Sequence, residues 1–201
     1  MSAKEKKASI RLFATQSNWA AWLERNYRKQ DGLWLRIAKK DSGLKSVTYP
    51  EAIETALCYG WIDGLKRPES EKAWLQRFVP RRPKSLWSKI NREKAEVLIA
   101  CGRMKDPGLE AIKQAQSDGR WETAYDSAKN SKVPPDFRAA LDACPKAQAF
   151  FEELDGTNRY AVLFRIQTAT KPETRARKIE QMVELLKNNK RIHEPRRRSK
   201  K

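Results

Sequence analysis

Trp61-Ile62-Asp63-Gly64-Leu65, Ala73-Trp74-Leu75-Gln76-Arg77-Phe78-Val79 and Trp87-Ser88-Lys89-Ile90-Asn91 decide how this chain is read. The first two segments are rich in β-branched and aromatic residues. A charged turn around Pro68-Glu69-Ser70 separates them, so they predict two short strands. After Pro80-Arg81-Arg82-Pro83 the pattern changes to helix after helix. Three of the seven tryptophans lie in this window, beside an acid between glycines and an arginine pair between prolines. A buried Trp needs both a large apolar seat and a partner for its N–H. The proline pair restricts how far Arg81 and Arg82 can collapse onto their own chain. The window therefore reads as a site or as a tightly specified junction.

Upstream, Phe13 opens the fold, and Ser17-Asn18 offers an N-cap for a helix carrying Trp19, Trp22, Leu23 and Tyr27. Asp31-Gly32 breaks it. Leu33, Leu35 and Ile37 alternate with Trp34, Arg36 and Ala38, which predicts a strand. Trp19, Trp22 and Trp34 are all assigned to the core. Thr48-Tyr49-Pro50-Glu51 combines an N-cap, a first-turn proline and a capping-box glutamate, with Gly60 as the stop.

Downstream, one helix runs from Ser88 or Asn91 to Ala100 with Val97 and Leu98 inward, and Gly102 ends it. Another starts at Pro107 and stops at Gly119. Further helices span 135–143, 145–154, 157–168 and 173–188, with Pro135 and Pro145 at helix starts. Arg175 and Arg177 are assigned to a solvated basic face. The fold class is α+β: a small three-stranded antiparallel sheet with two helices, followed by a mainly helical C-terminal half. The boundaries are a basic arm over 1–10, an α+β subdomain over 11–84, a helical subdomain over 85–188 and a disordered basic tail over 189–201. The seam between the halves falls near residues 80 to 90, where ligand clefts tend to form.

The formal net charge is +18 and is unevenly spread. Lys187 to Lys201 carries eight Lys/Arg against Glu194, and Met1 to Arg11 carries four against Glu5. Lys66 to Lys94 carries ten against three glutamates, so an internal basic patch coincides with the tryptophans. Such basicity suits an anionic partner, nucleic acid included, through the patch and the tail. No apolar run is long enough for a membrane span, and the N-terminus has no signal core, which points to the cytoplasm. Cys58, Cys101 and Cys144 read as buried thiols in a reducing compartment. With no CxxC and a single His193 in the tail, neither a zinc site nor any cofactor is expected.

No serine-hydrolase elbow, paired carboxylates, phosphate loop or dinucleotide fingerprint is present, so no catalytic residue is assigned. The candidate ligand-binding residues are Trp61, Asp63, Arg81, Arg82, Trp87, Ser88 and Asn91. Asp63 has two readings: a carboxylate paired with Arg81 or Arg82, or a ligand-binding or general-base group. The forked donors of Arg81 and Arg82 suit oxyanions. Trp87 either stacks on a ring or plugs the interdomain core. Ser88 and Asn91 cap a helix whose N–H groups, beside the arginines, make an anion seat.

Taken together, these residues resemble the YdeI/OmpD-associated proteins, or bacteriocin-protection family. The matches are Trp34 with Lys39-Lys40, Thr48-Tyr49-x-Glu51-Ala52, Ala56 to Gly64, Phe78-x-Pro80-Arg81-Arg82 and Trp87-Ser88-Lys89-x-Asn91. Gly102-Arg103-Met104 with Gly108, Asp118 to Trp121, and Glu173-Thr174-Arg175 with Arg177 and Ile179 continue them over about residues 10 to 186. The resemblance implies protection against antimicrobial peptides or bacteriocins, and brings no reaction or catalytic set. The resulting expectation is a bacterial stress-response or peptide-resistance protein without conventional catalysis, binding an anionic partner at the 61–91 seam. The alternatives are a nucleic-acid-binding module, and an enzyme using Asp63 on a small anionic substrate.

Overall fold

A computed structural model describes residues 9–194. Among them are eight helices and one four-stranded sheet, a mixed α+β fold. The chain divides into two compact units. The first runs to Ser85 and resumes over Asn91–Glu122; the second holds Leu86–Ile90 and the chain from Thr123 on. Most of the helix after Ser85 and the helix that follows it group with the sheet. Most of the arm and the basic end of the tail, residues 1–8 and 195–201, lie outside the described residues.

In the first unit the strands are β1 (Ile10–Arg11), β2 (Leu33–Ala38), β3 (Trp61–Pro68) and β4 (Ala73–Pro80). Their order is β1-β2-β4-β3, with β1 parallel to β2 and the other pairs antiparallel. The sheet is thus mixed and four-stranded rather than three-stranded and antiparallel. A two-residue strand carries no readable alternation, and β1 is defined only by its pairing with Trp34 and Leu35.

Helices α1 (Gln16–Asn26) and α2 (Tyr49–Cys58) bring their buried aromatic and aliphatic faces together with one face of the sheet. Thr15, rather than Ser17-Asn18, is the N-cap of α1 and accepts from the Asn18 N–H at 3.2 Å. Thr48 and Glu51 form the expected capping box, and Gly60 takes a positive φ of 67° just past the helix end. Trp19 and Trp61 are fully buried, with ring centroids 6.3 Å apart. Trp19 also lies 5.7 Å from Phe78 on β4. Its indole N–H donates to Ala52 O at 3.1 Å and so ties α1 to α2.

Helix α3 (Lys89–Ala100) buries Ala95 and Leu98, whereas Val97 is 65% exposed. The expectation that both neighbouring residues face inward fails, because adjacent helical positions point about 100° apart. Helix α4 (Asp106–Ser117) presses Gly108 against α2. A Cβ there would lie 2.6 Å from Cys58 O and 2.7 Å from Leu57 O, so only glycine permits this approach.

The second unit is built from α5 (Pro135–Asp142), α6 (Pro145–Glu153), α7 (Gly156–Gln167) and α8 (Pro172–Lys187). Phe137, Leu141, Phe151, Leu163, Ile166 and Leu186 form its core. Arg175 is a fastener rather than a solvated charge. It donates to Asp136 at 2.6 Å and to Ile166 O at 2.9 Å, joining α8 to α5 and α7. The buried amide of Asn158 accepts from the Ile192 and His193 N–H groups and donates to His193 O, which anchors the chain there.

Candidate functional site

The expected site residues divide between the units. Trp61, Asp63, Arg81, Arg82 and Asn91 belong to the first, Trp87 and Ser88 to the second. Trp61 follows Gly60, whose Cβ, if present, would meet Pro107 O at 2.7 Å. The Trp61 ring is 0% exposed and its N–H donates to Tyr27 O at 3.2 Å. It is a core residue with no surface left for a ligand. Trp87 is likewise buried, at 2% exposure. Its carbonyl accepts from the Tyr125 N–H, and Tyr125 O accepts from the Lys89 N–H, both at 2.9 Å. Ser88 enters a parallel bridge with Tyr125, and Lys89 pairs with Asp126 at 2.9 Å. Asn91 lies half-buried in the first turn of α3.

Asp63 is half-buried on β3 and accepts a hydrogen bond from the Tyr49 hydroxyl at 2.7 Å. Burial, then that bond, hold the Tyr49 phenol well above its usual range. The Arg81 N–H donates to Gly60 O at 2.8 Å, which fixes the backbone where β4 ends. The Arg82 N–H donates to Ser85 Oγ at 3.0 Å, while the Ser85 N–H returns a bond to Arg82 O at 2.9 Å. Arg120 clasps the same turn through Ser85 O at 2.7 Å and is itself held by Asp118. The Arg82 side chain is exposed on this closed turn, and Lys84 is exposed beside it in sequence.

Sequence reasoning missed three features. First, Trp34 is not core. It is half-buried, with the Arg67 and Arg77 guanidinium carbons 4.5 and 6.0 Å from its ring centroid. Second, the first unit holds a cavity of about 350 Å³ lined by Gln16, Thr55, Cys58, Tyr59, Arg103 and Lys105. Tyr59 donates from its hydroxyl to Glu24 at 2.7 Å, and burial pushes its phenol upward. Burial likewise raises the Cys58 thiol, so this cysteine is not an activated thiolate. Cys101 is exposed and Cys144 half-buried, so the expectation of three buried thiols holds only for Cys58. Third, the second unit has a cavity of about 430 Å³ walled by Tyr160, Ala161 and Phe164 with Arg165 and His193. His193 was legible only as a tail residue; the buried Asn158 that anchors it carries no sequence signature. Among the described residues no cluster of His, Cys, Asp and Glu suits a metal ion, and no helix is long and apolar enough to cross a membrane.

A family model described as "Domain of unknown function (DUF8412)" matches residues 11–111, just over half of the chain. The chain belongs to that family. The DUF8412 match covers β2, β3 and β4 and all of the sheet but Ile10, so it is the part that carries Asp63, Arg81, Arg82 and Trp34. A second model, "Bacteriocin-protection, YdeI or OmpD-Associated", matches residues 130–189, the stretch that contains α5 to α8. The YdeI/OmpD-associated resemblance is therefore shown over part of the chain. Of the motifs quoted for it, only Glu173-Thr174-Arg175 with Arg177 and Ile179 lie inside that match. No curated protein matches the chain, and no solved structure matches it.

Proposed function

We propose that this protein has a bacteriocin-protection-like role, acting in the bacterial cytoplasm by binding an anionic partner rather than by conventional catalysis. The observation that carries the role is the family match over residues 130–189. Support for an anionic partner comes from the Arg82 turn, which is closed by Ser85 and Arg120 and presents an exposed guanidinium. A guanidinium on a preorganised backbone gives up little freedom on meeting an oxyanion. Asp63 contributes a carboxylate fixed by Tyr49, and the Arg81 N–H holds the backbone where β4 runs into the turn. Trp61 supports this region from the core of the first unit.

The test is survival of a sensitive bacterium under bacteriocin or cationic-peptide challenge, with and without the chain. Expression raises survival, and Arg82→Glu removes the gain while the protein stays folded. Equal survival with and without the chain would reject the role. The anionic partner is tested separately by melting in phosphate and chloride at matched ionic strength. Phosphate stabilises the wild type more, and Arg82→Ala narrows that difference. Comparing the two proteins removes the general salting effect of phosphate, which acts on both alike.

A further inference from the structure

The outward face of the sheet is organised differently from the face under α1 and α2, and an irregularity in β3 brings Arg67 onto it. Pairing sets Asp63 opposite Phe78 and Lys66 opposite Gln76, so two residues of β3 stand against Arg77 alone. This is a β-bulge, which re-aims the side chains beyond it. Before the bulge, Trp61 and Asp63 face the helices. After it, Arg67 pairs with Leu75, which pairs with Arg36 across β4 and β2. The next row holds Ile10, Trp34 and Arg77. Arg67 and Arg77 thus reach the same ring from two rows.

The bulge is built, since the buried Gln76 side chain donates its amide to Gly64 O at 2.9 Å and satisfies a carbonyl the ladder has released. Among the described residues no carboxylate lies within ion-pair distance of the two arginines, although the Asp31 charge is felt by Arg77. Glu69 is held by Arg36 through bonds of 2.9 and 2.7 Å from Nε. Arg67 has no ion pair among the described residues and is exposed. Arg77 reaches only Asp31 O, at 3.4 Å, and its Nη1 is buried with no hydrogen-bond partner there. At the end of β2 and the start of β4, Lys39 and Lys72 are joined by a 2.9 Å backbone bond. With Lys40 they add exposed positive charge beyond the rows.

A flat ring with an exposed guanidinium over it, a second guanidinium at its edge and a lysine fringe fits a ligand that is both planar and polyanionic. We infer that this face binds single-stranded nucleic acid, with a base stacked on the Arg67–Trp34 layer, phosphates held by Arg67 and the lysines, and Arg77 supporting the ring from its edge. Stacking tolerates any base, so the binding is without strong sequence preference. The inference does not rest on the protection role: loss of that role with oligonucleotide binding intact leaves it standing.

The experiment uses the full chain and a fluorescein-labelled oligothymidylate of about twelve nucleotides, read by anisotropy at several salt concentrations. Arg67→Ala weakens binding roughly tenfold, the scale of one lost stacking layer, and reduces the salt slope by about one. Arg67→Lys restores the slope but only part of the affinity, because the charge returns without the plane. Cooperative unfolding of both variants, with midpoints near that of the wild type, shows that the surface rather than the fold has been altered. Inorganic phosphate at matched ionic strength competes poorly, since it offers no base. Equal affinity in the wild type, Arg67→Ala and Arg67→Glu overturns the inference. So does full recovery of affinity with lysine, or Arg67-dependent binding to phosphatidylserine vesicles without oligonucleotide binding.

Discussion

The two faces of the sheet use tryptophan in opposite ways. Under α1 and α2, Trp19, Trp22 and Trp61 meet one another edge to face or stacked, at centroid distances of 5.5 to 6.3 Å. The Trp19 and Trp61 N–H groups each find a carbonyl, at 3.1 and 3.2 Å, so those rings are closed to water on every side. On the outward face Trp34 has guanidiniums where Trp19 and Trp61 have other rings; at the rim of the inner face, Trp22 and Trp74 meet Arg11 and Lys66 as well. Leu75, between Arg36 and Arg67 in its row, is still only 8% exposed. Long arginine stems supply such cover while leaving their charged ends in water. The same residue type is thus a structural element on one face and part of a surface on the other. What separates them is whether the neighbours close the ring off or leave polar groups at its edge.

This contrast makes the two faces respond differently to substitution. Trp61→Ala removes a fully enclosed ring and is expected to cost about 3–5 kcal/mol, read from denaturant unfolding. A loss below about 1 kcal/mol would mean that the inner face is loosely packed after all. Gly108→Ala sharpens the same side. The added methyl meets backbone carbonyls of α2 that cannot swing away, and overpacking of this kind costs about 1–3 kcal/mol.

Gln76→Leu probes the link between the faces, since it leaves the Gly64 carbonyl without its amide donor. The expected cost is about 1–2 kcal/mol, with oligonucleotide affinity falling as the bulge loosens. Tyr49→Phe and Tyr59→Phe act through pH. Both phenols are raised in the folded state above their ordinary value of 10.0, so folding favours the protonated form. Their contribution is fully present below pH 10 and declines as the pH rises beyond it. The wild type therefore loses stability more steeply above that point than the double phenylalanine variant, as followed by melting between pH 8 and 11. Parallel curves would show that the phenols ionise freely. Arg67→Ala is expected to change stability least, by about 0.5–1 kcal/mol, from the stem and the ring contact it removes over Leu75 and Trp34. Its effect belongs to binding.

These differences also explain what could be read from residues alone. Thr48, Pro50 and Glu51 act within one turn of one another, so the α2 start was legible, as was the Gly60 stop. Local signals failed where two were equally good: Ser17-Asn18 resembles an N-cap, yet Thr15 takes that place. β1 was invisible because two residues show no period. At the candidate site, the preorganised Arg81-Arg82 turn was legible from its prolines. The burial of Trp61 and Trp87 was not, since an aromatic beside charged residues looks alike in sequence whether it faces in or out. Trp34 was placed in the core by type, while its actual neighbours come from a strand whose phase changes at the bulge.

That change of phase bears on how the sheet tolerates insertions and deletions. In an unbroken strand, six residues separate positions on the same face, so Trp61 and Arg67 would share one. Here they do not, because β3 holds a surplus residue between Asp63 and Lys66. Removing Leu65 would let the strand run straight while Asp63 kept its place opposite Phe78 and Lys66 its place opposite Gln76. A single deletion there is neutral in parity, whereas one inside β2 or β4 would turn the residues beyond it over. Length variation among related chains should therefore concentrate at 64–65, leaving the inner tryptophans and the outer arginines each on their own side.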